Sequence, residues 1–200
     1  MNRIEQVIEY SRKKLINEIV AHDFSHSERV MKTAEYIGKN CGEVVDLEVI
    51  KIAGITHDII DKKVALDIDL EIDELSKFLL NIGYNQNQVK QVFDIISNMS
   101  FSSGRIPSTI EGKIVQDADR LEAIGAISIA RAFAYGGKLN RVIYEEDNNN
   151  SSIGHFYEKL LLLKDMMNTD IGKQLAIKRH EFMESYLNQF FIEWNLEDLK

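Results

Sequence analysis

Four side chains in this chain of 200 residues are of types that could share one ion: His26, His57, Asp58 and Asp119. His57 and Asp58 stand side by side in GITHDIIDKK, residues 54–63, at the end of a strongly apolar segment. Two titratable groups placed there are either a satisfied polar pair near a helix end or part of a metal site. The dipeptide alone does not decide, because His22–Asp23 spells the same pair. His26 lies four residues before Val30, and Asp119 lies four residues after Val115 among Asp117, Arg120 and Glu122. Helical spacing puts both on apolar faces. Three separate segments therefore each aim an acid or an imidazole inward. Burying one such group alone costs several kcal/mol when it is charged, unless it is paired. A divalent cation at the meeting point would neutralise two carboxylates and accept two imidazoles. Borderline nitrogen with hard oxygen suits Mn²⁺, Fe²⁺, Co²⁺ or Mg²⁺ better than structural zinc, which prefers closed Cys/His sites. Adjacent helical residues diverge by about 100°, so His57 and Asp58 can both reach one ion only if it lies beside a helix end.

The elements that must position these groups are helices. Ile4, Val7, Ile8, Leu15 and Ile19 mark one face of a first helix. Ser25 with Glu28 reads as a capping box, followed by Val30, Ala34 and Ile37 up to Gly38. Residues 46–60 are apolar almost all round, as a buried central helix requires. Helices are expected over 69–82, ending at Gly83, and over 86–99. SFSSGRIPSTIEGK is a loop closed by a second Ser-x-x-Glu box, with Thr109 as first helical residue. One long helix should then run through Asp119 towards Gly136–Gly137. Asn148–Ser152 reads as a polar linker before helices over 155–167 and 170–194. Strand-like alternation is scarce, so the expectation is an all-α single domain over 1–200.

Composition narrows the function. Hydrophobic residues make up 44% of the chain, enough for one core. The lone cysteine, Cys41, excludes an intrachain disulfide framework and any Cys-rich metal cluster. The N-terminal stretch has no continuous apolar core, and no run is long enough to span a bilayer, so a reducing cytoplasm is expected. Lys plus Arg number 24 against 32 Asp plus Glu, a net charge of −8. That field opposes nucleic-acid backbones, so an anionic substrate needs local bases or a metal. Arg29, one turn beyond His26, and Lys62 are the nearest such bases. His155 and Lys159 stand one turn apart at the start of an expected helix, an end that favours anions. Arg120 adjoins Asp119 but points about 100° away, which fits a structural salt bridge equally well. Tyr84 reads as core rather than as a base-stacking platform, and Phe190, Phe191 and Trp194 fit either core packing or a homodimer interface.

HDFSHSERV around His26, ITHDIIDKK around the dyad and QDADRLEAIGAI around Asp119 together resemble the HD-domain phosphohydrolases. The resemblance implies an HD-type helical bundle, with a core motif region over 22–135 and C-terminal helices over 155–194. It also implies that Asp119, between the Ala and Arg of ADRL, is the last metal ligand rather than Asp117. HFYEKLLLLKDMMNT, residues 155–169, is similar to one bacterial branch of single-metal nucleotide phosphohydrolases, and that match selects His155 and Lys159 for the substrate tail. In single-metal relatives the position of Asp61 carries the acid that handles the water's proton. Relatives with two or more metals add histidines between the dyad and the last Asp; this chain has none between residues 58 and 118, which implies one ion. Mn²⁺ is the first choice, with Mg²⁺, Co²⁺, Fe²⁺ or Ni²⁺ as alternatives. The implied reaction is cleavage of (deoxy)nucleoside triphosphates to monophosphate and pyrophosphate by a metal-activated water. Alarmone hydrolysis, monophosphate hydrolysis and a non-catalytic nucleotide-sensing module are the competing readings.

Overall fold

The computed structural model describes residues 1–17, 23–61, 64–99, 104–146 and 150–199. Among them there are helices and turns but no strand, so the all-α expectation holds. The chain forms two compact units, Met1–Asp119 and Arg120–Lys200.

In the first unit α1 (Arg3–Lys14) opens with a reciprocal capping box between Asn2 and Glu5. Next comes α2 (Phe24–Asn40), then α3 (Leu47–Thr56), where Val49, Ile50, Ile52, Ala53, Ile55 and Thr56 are all buried. α3 packs against α1, α2 and α5 (Gln86–Asn98), so it is the buried central helix its composition demands. Each fully buried Ile contributes about 1.5–3 kcal/mol. α4 (Ile68–Asn81) buries Leu75 and Leu79 and is closed by Gly83 at φ 96°. α6 (Ile110–Glu122) carries Asp119 near its end.

Several helix ends differ from the sequence reading. Asp23, not Ser25, caps α2, its carboxylate accepting from the His26 N–H at 2.6 Å. A short acidic side chain two residues earlier starts the helix sooner, and His26 becomes its third residue. Thr109 caps α6 rather than beginning it, accepting from the Gly112 N–H at 3.1 Å, while the Glu111 carboxylate accepts from the Asp46 N–H. The α-helix expected through residue 60 stops at Thr56 and tightens into a 3-10 turn, His57–Ile60.

In the second unit the helix expected to run unbroken to Gly136–Gly137 is interrupted at Gly125, which takes φ 93°, and α7 (Ala126–Lys138) starts afresh. A side chain there would be strained, and its Cβ would lie 3.1 Å from Arg179 Cβ. The expected 155–167 helix is a five-residue α8 (Gly154–Glu158) followed by a 3-10 segment, Leu160–Met166. Ser151 and Ser152 of the expected polar linker are buried. Ser151 Oγ accepts from the Gly154 N–H, and Ser152 lies against Gly136. The long α9 (Asp170–Trp194) completes this unit. Phe190, Phe191 and Trp194 gather around Tyr144, with ring centroids 5.1–6.3 Å from it.

Candidate metal centre

The site is assembled where α2 begins and α3 ends. The Asp23 cap fixes the backbone at His26. Gly54 then lets α3 approach α2 closely: a Cβ at Gly54 would stand 2.9 Å from Met31 Cα. This contact brings the end of α3 to the start of α2. Because the chain tightens into a 3-10 turn there, the dyad lies on the turn rather than along a regular helix. Asp61 caps the turn in an extended conformation, one residue past its end.

His26, His57 and Asp58 are buried and offer ligand atoms all within 4.8 Å of one another. His26 Nε2 lies 3.6 Å from Asp58 Oδ2 and 3.4 Å from Asp119 Oδ1. His57 Nε2 lies 3.3 Å from Asp58 Oδ1 and 3.7 Å from Asp119 Oδ1. The two rings meet edge-on with centroids 5.3 Å apart. His57 Nδ1 is 2.9 Å from the Gly54 carbonyl oxygen. A carbonyl can only accept, so Nδ1 donates, and in the neutral ring this leaves Nε2 as the atom with the lone pair. That buried Nε2 has no hydrogen-bond partner among the described residues.

This donor set fits a divalent cation. Ligand atoms about 2.1 Å from one ion stand roughly 3.0–3.4 Å apart, close to the four separations above. Carboxylate oxygens and imidazole nitrogens this close together hold a divalent cation more favourably than any one of them alone. Such a cation is also a partner for His57 Nε2.

The other expected site residues are placed less closely. Asp61 directly follows the 3-10 turn, half-buried, with its N–H donating to the Asp58 carbonyl at 3.2 Å. Arg29 is half-buried on α2, one turn beyond His26. Lys62, like His22, lies outside the described residues. His155 and Lys159 belong to the second unit, a turn apart and joined by a bond from the Lys159 N–H to the His155 carbonyl. Burial, and then the nearby charge of Lys159, pushes the His155 pKa below the ordinary histidine value. At neutral pH it is an uncharged imidazole. Arg120 is buried and donates to the Met166 carbonyl, in line with a structural role. Tyr84 is buried with Arg3 Cζ 4.5 Å over its ring, as core packing requires.

Two contributors escaped the sequence reading. The Gly54 carbonyl is backbone and leaves no trace in residue type. Ser27, fully buried beside His26, has its Oγ 3.4 Å from Asp58 Oδ2. Its one signal was a serine on the inward face next to an expected ligand.

Comparison with known proteins agrees with this geometry. The HD domain family model matches residues 23–124. YpgQ of Bacillus subtilis (strain 168) is 40% identical over 193 residues, covering 94% of this chain and 92% of YpgQ. The crystal structure of YpgQ in complex with ADP superposes with a TM-score of 0.82 at 38% identity, covering 94% of this chain and 93% of that one. An HD-superfamily hydrolase from Bacillus thuringiensis gives a TM-score of 0.80 at 40% identity over 96% of both chains. A match spanning more than half the chain, and containing His26, His57, Asp58 and Asp119, places this protein in the HD-domain family.

Proposed function

We propose that the protein is a single-metal phosphohydrolase acting on nucleotides, cleaving (deoxy)nucleoside triphosphates to monophosphate and pyrophosphate. The observation that carries this reading is the convergence of His26, His57, Asp58 and Asp119, with the lone pair of His57 Nε2 buried and aimed at the carboxylates. These four residues would hold one divalent ion, Mn²⁺ in the first instance. Once bound, such an ion polarises a phosphoryl oxygen and lowers the pKa of a coordinated water towards neutrality.

The chain's own residues supply the rest. The Gly54 carbonyl holds His57 in the tautomer that leaves Nε2 as a donor to the ion. Asp61 takes the proton released as water attacks phosphorus, from its position at the end of the turn bearing Asp58. Arg29 and Lys62 pair with phosphate oxygens. His155 and Lys159 meet the substrate tail, the former as a neutral imidazole and the latter as a cation. The nucleotide class is supported by the binding of ADP to YpgQ.

The test is product analysis by phosphorus NMR, with Mn²⁺ and nucleoside mono-, di- and triphosphates. Pyrophosphate and monophosphate are expected from triphosphates. Asp119→Ala should lower both Mn²⁺ affinity and turnover by more than the ~100-fold typical of losing a supporting residue. Wild-type-like hydrolysis in that variant would remove the reading.

A further inference from the structure

We propose that Ser27 is a positioning residue for the metal centre, its hydroxyl setting the rotation of the Asp58 carboxylate. This rests on the single-metal reading above. Ser27 has no exposed surface, and its hydroxyl must find a partner inside the protein. A helical serine usually turns back to the carbonyl four residues earlier. Here that carbonyl, at Asp23, already accepts the N–H groups of both His26 and Ser27. The Ser27 hydroxyl instead meets Asp58 Oδ2 at 3.4 Å.

A donor at one oxygen bears directly on how the Asp58 carboxylate is turned. The terminal torsion of an aspartate is broad and roughly two-fold, and this carboxylate has two imidazoles beside it. Oδ1 lies 3.3 Å from His57 Nε2 and Oδ2 lies 3.6 Å from His26 Nε2. Donation from Ser27 to Oδ2 favours the rotation observed, with Oδ1 towards His57 and Oδ2 towards His26. The Gly54 carbonyl does the same for the neighbouring ring of His57. Each half of the dyad therefore has its own orienting group. One is a backbone acceptor within α3, the other a side-chain donor on α2. Ser27 touches neither substrate nor the reacting atoms, and it acts only through Asp58.

The test is a Co²⁺ titration of the whole chain, read by visible absorption, with Ser27→Ala and Ser27→Cys. Cysteine keeps the side chain's shape but is a poor donor, so it stands in should the alanine variant fold badly. Both variants are expected to bind Co²⁺ about 10–100-fold more weakly, as for other residues that support a ligand. Their absorption bands should also shift, and a circular dichroism melt without metal should stay close to wild type. Wild-type affinity and an unshifted spectrum in either folded variant would overturn the proposal. Failure of the wild-type chain to bind Co²⁺ or Mn²⁺ at all would instead overturn the single-metal reading on which it rests.

Discussion

Two regions of this protein bury charge, and they do so in opposite ways. In the second unit Glu122 is buried with Arg179 Nη1 3.7 Å from its carboxylate, and Arg131 donates to the Glu122 carbonyl. Arg179 also donates to the Leu121 carbonyl, and Arg120 donates to that of Met166. Opposite charges and carbonyl acceptors there answer one another. In the first unit two carboxylates and two imidazoles converge, and His57 Nε2 has no hydrogen-bond partner among the described residues. The two regions thus differ in kind: one sets guanidinium groups against a carboxylate and backbone carbonyls, the other sets two imidazoles against two carboxylates, the donor set of a divalent cation. The first is a structural clasp, the second a candidate metal site.

Substitutions can break this contrast. The largest effects come from taking one acid from each region. Glu122→Ala should cost roughly 1–3 kcal/mol of stability, the range of a lost buried side chain, since Arg179 stays a third exposed, and leave Mn²⁺ affinity unchanged in calorimetric titration. Asp58→Asn should do the reverse, weakening Mn²⁺ by more than about 100-fold while the metal-free melting temperature holds or rises. Equal stability losses in the two variants would erase the distinction. Gly54→Ala probes the frame. Its Cβ would press on the α2 backbone, an overpacking expected to cost about 1–3 kcal/mol and to weaken Mn²⁺ binding as α3 moves away from α2. An urea melt beside a metal titration checks both.

The smallest effect is that of pH at His155. Its lowered pKa means that the folded chain takes up this proton later than the unfolded one. Stability should therefore fall as pH drops below the ordinary histidine value of about 6.5 and stay flat above it. His155→Gln should lose less stability than wild type between pH 7 and 5 in thermal melts.

The site was more legible in the sequence than the ends of the elements that carry it. His26, the dyad and Asp119 stand out because titratable residues interrupt apolar faces, a conflict with burial that any pattern reading detects. The burial of α3 follows from its composition. The Asp23 cap was obscured because Asp23 and Ser25 are both good caps and lie two residues apart. The 3-10 turn at His57 was hidden because repeats of three and of 3.6 residues cannot be told apart over four residues. The break at Gly125 was missed for another reason. A lone glycine in an apolar helical run does not disclose a positive φ, which becomes visible only once Arg179 lies against it. Ser27 and the Gly54 carbonyl act through single contacts across or within helices, which spacing does not encode.

Asp119 differs from its three companions in one respect: a third of its side chain meets solvent, while theirs are nearly sealed. Among the described residues the centre is therefore most open on the Asp119 side. An ion held there and a phosphate approaching from that side would share it, so a seated nucleotide would act as a cork. A chelator should strip Mn²⁺ more slowly from protein saturated with a non-hydrolysable triphosphate than from protein alone. Such a trap would make retention of the ion depend on how often the protein is occupied.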